Sequence, residues 1–326
     1  MLCILNDVFK QLIFSLKTSY LASLEIARLT RIIWLLILFQ SDFMRLVVQG
    51  ASLSHAHLAH IHALMAAPRG VQYTQIAERA YYLPAQTKLP DSVKDFCVAE
   101  KIDVALVADQ HTLSKIKLCV MDMDSTLITI ECIDEIADMH GIKPQIAAIT
   151  EATMRGELDF AQSLKQRVAL LKGLDESALQ RVIDERLKLS PGAVEWINTC
   201  KQHNIKTMLV SGGFDFFANH VQNLLGLDYA EANVLEIIDG KLTGNIWGAI
   251  VDAQAKADHL NRLRSILGLE TSQVIAIGDG ANDLNMMSEA AAGIAYRAKP
   301  VVQAQASYAL NFSGLDGVIH LLNTAV

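Results

Sequence analysis

The residues whose types and spacing could do chemistry sit at the ends of three apolar runs. The first, Lys117-Leu118-Cys119-Val120-Met121, leads into Asp122-Met123-Asp124-Ser125-Thr126. Two carboxylates two positions apart repel one another unless a cation or a proton offsets the charge. Taken alone, the D-x-D-x-T run reads equally well as an Asx-type turn leading into a helix cap. The second run, Met208-Leu209-Val210, delivers Ser211-Gly212-Gly213. A hydroxyl before two glycines lets backbone N–H groups approach an anion, although a plain glycine turn is the simpler reading in isolation. The third, Val274-Ile275-Ala276-Ile277, ends in Gly278-Asp279-Gly280-Ala281-Asn282-Asp283. Further carboxylates at a strand end suit a hard, oxygen-liganded cation such as Mg²⁺. The 12-residue calcium loop with its terminal Glu is absent. Lys256 lies between the second and third runs; by itself it would be an exposed helix lysine. The four pieces in this order carry more weight than any one of them.

Elements must bring these runs together. Strand-like segments at Ile116 to Met121, Lys206 to Val210 and Val274 to Ile277 alternate with helical stretches, which predicts an α/β fold. The expected core is a doubly wound, Rossmann-like parallel sheet over 114–128 and 191–326. In open parallel sheets ligands bind at the carboxyl ends of the strands, where all three polar runs fall. Residues 129–190 read as largely helical, with Phe160, Leu164, Val168 and Leu171 at helical spacing. A helical insertion after the first strand reads as a cap. Residues 44–113 form a small α+β unit, with strand-like Leu46 to Val48, a helix around His57 to Met65, and strand-like Val104 to Val107. His57 and His60 could share a helix face, but no carboxylate or cysteine completes a ligand set, so a solvated face is the better reading.

Residues 1–43 differ from the rest. The apolar run Ile32 to Phe39 is too short to cross a bilayer, which takes about 20 residues, and no small-residue cleavage site follows it. We read this segment as an extension ahead of a natural start at Met44, with an interfacial helix as the alternative.

The motifs together resemble the haloacid dehalogenase superfamily and, within it, the phosphoserine phosphatases, over roughly residues 115–326. The resemblance implies a phosphorylated nucleophile at Asp122 and a general acid and base at Asp124. It implies phosphate binding by Ser211, Gly212 and Lys256, with Asn282 and Asp283 supporting. It implies Mg²⁺ held by Asp122, Asp124 (through its backbone carbonyl) and Asp279. For the amino-acid end of the substrate it points to Glu131 and Arg167, with Met154 and Phe160 closing over it. Without the resemblance, Arg167 would be a surface charge and Met154 and Phe160 ordinary packing. Asp215 is an extra anion beside the phosphate run, expected to point away from it. The implied activity is Mg²⁺-dependent hydrolysis of phosphoserine, the last step of serine biosynthesis.

A net charge of −7 argues against a nucleic-acid partner, whose binding rests on Lys and Arg. Five scattered cysteines with no C-x-x-C pair indicate neither a disulfide framework nor a zinc site, as expected of a reduced, cytoplasmic protein. The partner expected is a small phosphomonoester, without firm membrane association; a homodimer and a monomer both stay open. A phosphatase for another small phosphomonoester, or a phosphotransferase, would share the same core. An amino-acid-sensing role for residues 44–113 is the reading from a different class.

Overall fold

The computed structural model describes residues 44–66 and 71–323; the apolar run at Ile32 to Phe39 and the start-site reading lie outside them. Two sheets organise the described chain. The first has order β2-β3-β1-β4 and comprises β1 (Met44–Gln49), β2 (Thr74–Ala77), β3 (Ala80–Gln86) and β4 (Asp103–Ala108). Helices α1 (His55–Leu64) and α2 (Asp91–Ala99) accompany it. Alternation along β1 sends Leu46 and Val48 toward Leu58, Ile61 and Val93 of the helices, and Val47 into the main core with Val107. Both faces of this sheet are therefore covered. The histidines of α1 serve packing and capping: Ser54 and His57 form a capping box, and the His60 ring lies 4.4 Å from that of Phe96.

The second sheet is larger, with seven strands in the order β11-β10-β9-β5-β6-β7-β8. They are β5 (Leu118–Met121), β6 (Lys206–Phe214), β7 (Tyr229–Ile238), β8 (Lys241–Trp247), β9 (Val274–Gly278), β10 (Ala292–Tyr296) and β11 (Tyr308–Leu310). All neighbours pair parallel except β7 and β8. Helices occupy the connections, as parallel pairing requires. The central strands β5 and β9 are buried along their whole length, which is why they read as unbroken apolar runs.

Register decides where the polar runs emerge. Met121 pairs with both Leu209 and Ile277, so Asp122, Val210 and Gly278 leave the sheet at one level. β6 continues to Phe214, past the end expected at Val210. Its pairing with β7 jumps from Val210↔Glu231 to Phe214↔Asn233, an irregularity that takes Ser211, Gly212 and Gly213 out of the regular ladder.

Between Ile128 and Leu189 run four α-helices, α3 (Cys132–Met139), α4 (Lys143–Met154), α5 (Phe160–Ala169) and α6 (Ser177–Glu185); α7 (Ala193–Gln202) then leads into β6 and α8 (Asp215–Leu225) follows it. The two strands of chain that join the four to the sheet pair with each other, Ile128 against Leu189, with Ser190 N–H donating to Leu127 O at 2.9 Å.

The first sheet is locked to the second through buried polar groups. Arg45 donates to Ala108 O, His111 O and Leu321 O at 3.1, 2.7 and 2.7 Å. Asp103 accepts from the amides of Asn311, Phe312 and Ser313. Tyr308 Oη accepts from Ala108 N–H and donates to His111 Nδ1 at 2.6 Å; His320 Nδ1 donates to Gln49 Oε1 at 2.6 Å. Burial holds both imidazoles below their ordinary 6.5, with the Arg45 charge adding to the effect at His111. As pH falls through 6.5 the unfolded chain therefore takes up these protons first, so stability is full above that pH and shrinks below it. We expect the urea midpoint to fall between pH 7 and 5.5, and the H111Q/H320Q double variant to lose most of the fall these two groups cause. An unchanged slope in the double variant would place the acid sensitivity elsewhere.

Candidate active site

Asp122 is buried at the end of β5, and its Oδ1 receives two hydrogen bonds, from Met123 N–H at 2.8 Å and from Lys256 Nζ at 2.7 Å. Lys256 sits in the first turn of α9 (Ala253–Ile266), whose N-cap is Asp252. Only 1% exposed, it also bonds Asp283 Oδ1 at 2.7 Å. The other oxygen of Asp283 accepts from Gly280 N–H at 3.0 Å. A Cβ on Gly278 would collide with the Asp283 carboxylate, so the glycine is what lets this acid fold back under β9.

Asp122, Asp279 and Asp283 each offer an oxygen within 4.8 Å of the others. Three carboxylates this close, with one lysine among them, repel. Burial, then the Asp283 charge, raises the Asp122 pKa well above the carboxylate range against the pull of Lys256. Burial and Asp283 push Asp279 up to about 6. Thr126 Oγ1 donates to Asp279 Oδ1 at a long 3.3 Å, which leaves that carboxylate largely unengaged. Both Asp283 oxygens are taken, so it orients Lys256 more than it offers lone pairs. The donor set fits a hard divalent cation.

Asp124 faces the same space from a turn in which Ser125 adopts φ +55°, an uncommon conformation for a residue with a side chain. Its Oδ1 is buried without a hydrogen-bond partner. Burial, then the Glu131 charge, pushes its carboxyl up to about 7, with Cys132 opposing. Glu131 is open to solvent as a residue, but its carboxyl turns inward and accepts from Ser125 Oγ at 2.6 Å. Burial raises its pKa and that bond opposes the rise.

The helical segment supplies the opposite wall. Asp159 and Gln162 form a capping box at the start of α5, which sets the helix phase. Phe160, Leu164 and Arg167 then follow at i, i+4 and i+7 on one face. Arg167 Nε is buried and unpartnered; burial lowers the guanidinium pKa while Asp134 and Glu131 hold it up. A Cβ on Gly212 would lie 2.9 Å from Phe160 Cζ, so the glycine lets the ring approach the second run this closely without shifting.

A cavity of about 250 Å³ joins these groups. It is lined by Asp122, Asp124, Glu131, Phe160, Arg167, Ser211, Gly212, Asp279 and Asn282 of the residues singled out in the sequence. Lys256 lies behind it, bonded to Asp122, and Asp283 lies one bond further back, on Lys256. Met154 does not join it: the residue is 67% exposed at the end of a helix whose buried residue is Ile146. In the acidic cluster the side chain of Asp283, not that of Asp124, completes the set. Asp215 does not line the cavity; burial raises its pKa and nearby backbone amides oppose the rise. Ile133, Leu164, Gly213 and Phe214 also line the space. Ile133 follows Glu131 by two and Leu164 belongs to the Phe160 face, signals that periodicity alone carried.

A family model for haloacid dehalogenase-like hydrolases matches residues 116–291, over half of the chain. The chain belongs to this hydrolase family. Phosphoserine phosphatase of Polaromonas sp. is 51% identical over 215 residues, covering 64% of this chain and 91% of that one. The phosphoserine phosphatase of Haemophilus influenzae is 50% identical over 223 residues, covering 68% and 71%. A crystal structure of a probable phosphoserine phosphatase from Vibrio cholerae, unliganded, superposes with a TM-score of 0.76 at 38% identity over 87% of each chain. Among the described residues no helix is long and apolar enough to cross a membrane.

Because the folded state raises the Asp279 pKa to about 6, its ionised form destabilises the fold as pH rises past the ordinary carboxylate range. Asp279→Asn should therefore raise the unfolding free energy of the protein in EDTA at pH 8 by about 1–3 kcal/mol, less near pH 5. Urea unfolding reads this directly; a loss of stability at pH 8 would refute the repulsion argument.

Proposed function

We propose that this hydrolase cleaves phosphoserine to serine and phosphate through a phosphorylated Asp122, the last step of serine biosynthesis. One observation carries the reading: Glu131 and Arg167, an anion and a cation from the helical segment, line the same cavity as Asp122, Asp124, Ser211 and Asp279. A phosphoserine molecule has a dianion at one end and an ammonium and a carboxylate at the other. The similarity to phosphoserine phosphatases at 50–51% identity supports the same substrate.

Both hydrogen bonds at Asp122 engage Oδ1, so Oδ2 is the attacking atom. As the Asp122–phosphorus bond forms, the ester P–O bond breaks and the serine oxygen takes a proton from Asp124. A carboxyl pushed up to about 7 is substantially protonated at neutral pH, the state a general acid needs. Asp124 then accepts a proton from the water that attacks phosphorus, releasing phosphate and restoring Asp122. The hydroxyl of Ser211 and the N–H groups beside Gly212 hold the phosphate oxygens. Arg167 takes the substrate carboxylate and Glu131 its ammonium, each replacing lost water with a charge partner. Asp122, Asp279 and the backbone carbonyl of Asp124 would hold Mg²⁺, which supplies neutralising charge between nucleophile and phosphate. Residues 129–190 act as a cap that excludes water, with Phe160 closing on Gly212.

Phosphate release from phosphoserine should need added Mg²⁺ and stop in EDTA. Asp122→Asn should lose at least a thousandfold in kcat, since an amide cannot form the acyl phosphate; a variant retaining a tenth of the rate would remove Asp122 from the nucleophile's role. Arg167→Ala should raise KM for phosphoserine at least tenfold, as expected on losing about 1.5–3 kcal/mol of charge-assisted bonding. Its KM for phosphoethanolamine, which lacks the carboxylate, should change little. Equal losses on both substrates would contradict the assignment.

A further inference from the structure

The proposed phosphate site draws on two segments from different parts of the fold. One is Ser211-Gly212-Gly213, where β6 leaves its ladder; the other is Val251 to Lys256, where α9 begins. Asn233 touches both. It lies on β7 opposite Phe214 and is fully buried, at 0% exposure. Its Nδ2 donates to Gly212 O at 2.9 Å, and its Oδ1 accepts from Val251 N–H at 2.8 Å.

The two bonds call for a donor and an acceptor held in one short planar group. An amide supplies both at once, whereas a carboxylate supplies only acceptors and an ammonium only donors. Each bond ends on backbone, so what the side chain sets is the path of the main chain. On one side, the path of Gly212 sets where the neighbouring N–H groups and the Ser211 hydroxyl point; Ser211 Oγ is itself held by Gly213 N–H at 2.9 Å. On the other side, Val251 precedes Asp252, which caps α9 through Ala255 N–H at 2.9 Å. That cap fixes the first turn, and the first turn delivers Lys256 Nζ to Asp122.

We infer that Asn233 is a positioning residue of the anion site, a brace that holds the Ser211–Gly213 donors and the Lys256 helix start in one geometry. The inference rests on the reading above for the identity of the anion. Glu131 and Arg167, which serve the amino-acid end, lie on the helical segment and receive no bond from Asn233. Loosening the brace should therefore weaken phosphate and spare serine.

The probes are inorganic orthophosphate and L-serine, titrated separately into the full chain with Mg²⁺. N233D keeps the acceptor for Val251 and loses the donor to Gly212; N233L loses both without adding charge. Both variants should bind orthophosphate at least tenfold more weakly and L-serine within twofold of the unmodified protein. Orthophosphate binding within twofold of the original would overturn the proposal, as would equal losses on the two ligands, which mark a general structural fault. In the unmodified protein, orthophosphate should slow hydrogen exchange at 211–214 and at 251–256 together; protection confined to 211–214 would overturn the brace even if neither variant folds. A chain that binds orthophosphate, responds to N233D as described and yet does not hydrolyse phosphoserine would uphold the brace and reject the substrate.

Discussion

Lys256 is buried between two acids, and the arrangement around it follows from that charge balance. Parallel register brings the ends of β5 and β9 to one level, which forces Asp122 close to Asp279 and Asp283. Three carboxylates in a poorly hydrated space repel; burial first, and the Asp283 charge next, raise the pKa values of Asp122 and Asp279. The lysine offsets part of the repulsion, with Nζ at 2.7 Å from both Asp122 and Asp283. Removing Lys256 from such a buried set costs about 3–5 kcal/mol, because it leaves the acids without a partner. Lys256 thus has two tasks: it keeps the acids folded together, and it orients Asp122 by engaging a single oxygen.

The remaining imbalance is what the site presents to a ligand. Asp279 is engaged only by a long bond from Thr126, and Asp124 Oδ1 and Arg167 Nε are buried without partners. Unpaired polar atoms at this depth are costly, and Asp124 and Arg167 line the same cavity. The chain as a whole carries −7, so the positive charge at this site is local, supplied by Lys256 and Arg167. Burial first, and neighbouring charge second, leave acids of different protonation side by side, with Asp124 pushed up to about 7 and Asp279 to about 6.

The four-stranded sheet is bound to the core by groups that are individually expensive to bury. Arg45 and Asp103 are both nearly inaccessible, and each bonds backbone atoms across the joint, although Arg45 Nε has no partner of its own. One face of the sheet belongs to the main core and the other to α1 and α2. It is built as a continuation of the second sheet's packing, and Arg45–Val326 forms one compact unit.

The central strands were legible in the sequence because a strand buried on both faces is written as an unbroken apolar run, as in Leu118–Met121 and Val274–Gly278. The acids, glycines and lysine were legible because their chemistry is local to short runs. Strands β7 and β8 were not, since few of their residues are fully buried and polar residues dilute the apolar signal. Nor was β10, whose Ala292-Gly293-Ile294-Ala295 run is built of small residues that read as well in a helix. Helical spacing found Phe160 and Leu164 on α5, and only the family resemblance pointed to Arg167; neither said where α4 packs, and Met154 turned outward. Asn233 left no trace in sequence, because a lone polar residue in a strand reads as exposed until its two backbone partners are placed. What the sequence by itself determined was the kinds of groups and the levels at which they leave their strands. Tertiary structure alone decided which of them meet, because charge repulsion, an unpaired amide and a closed wall exist only between segments far apart in the chain.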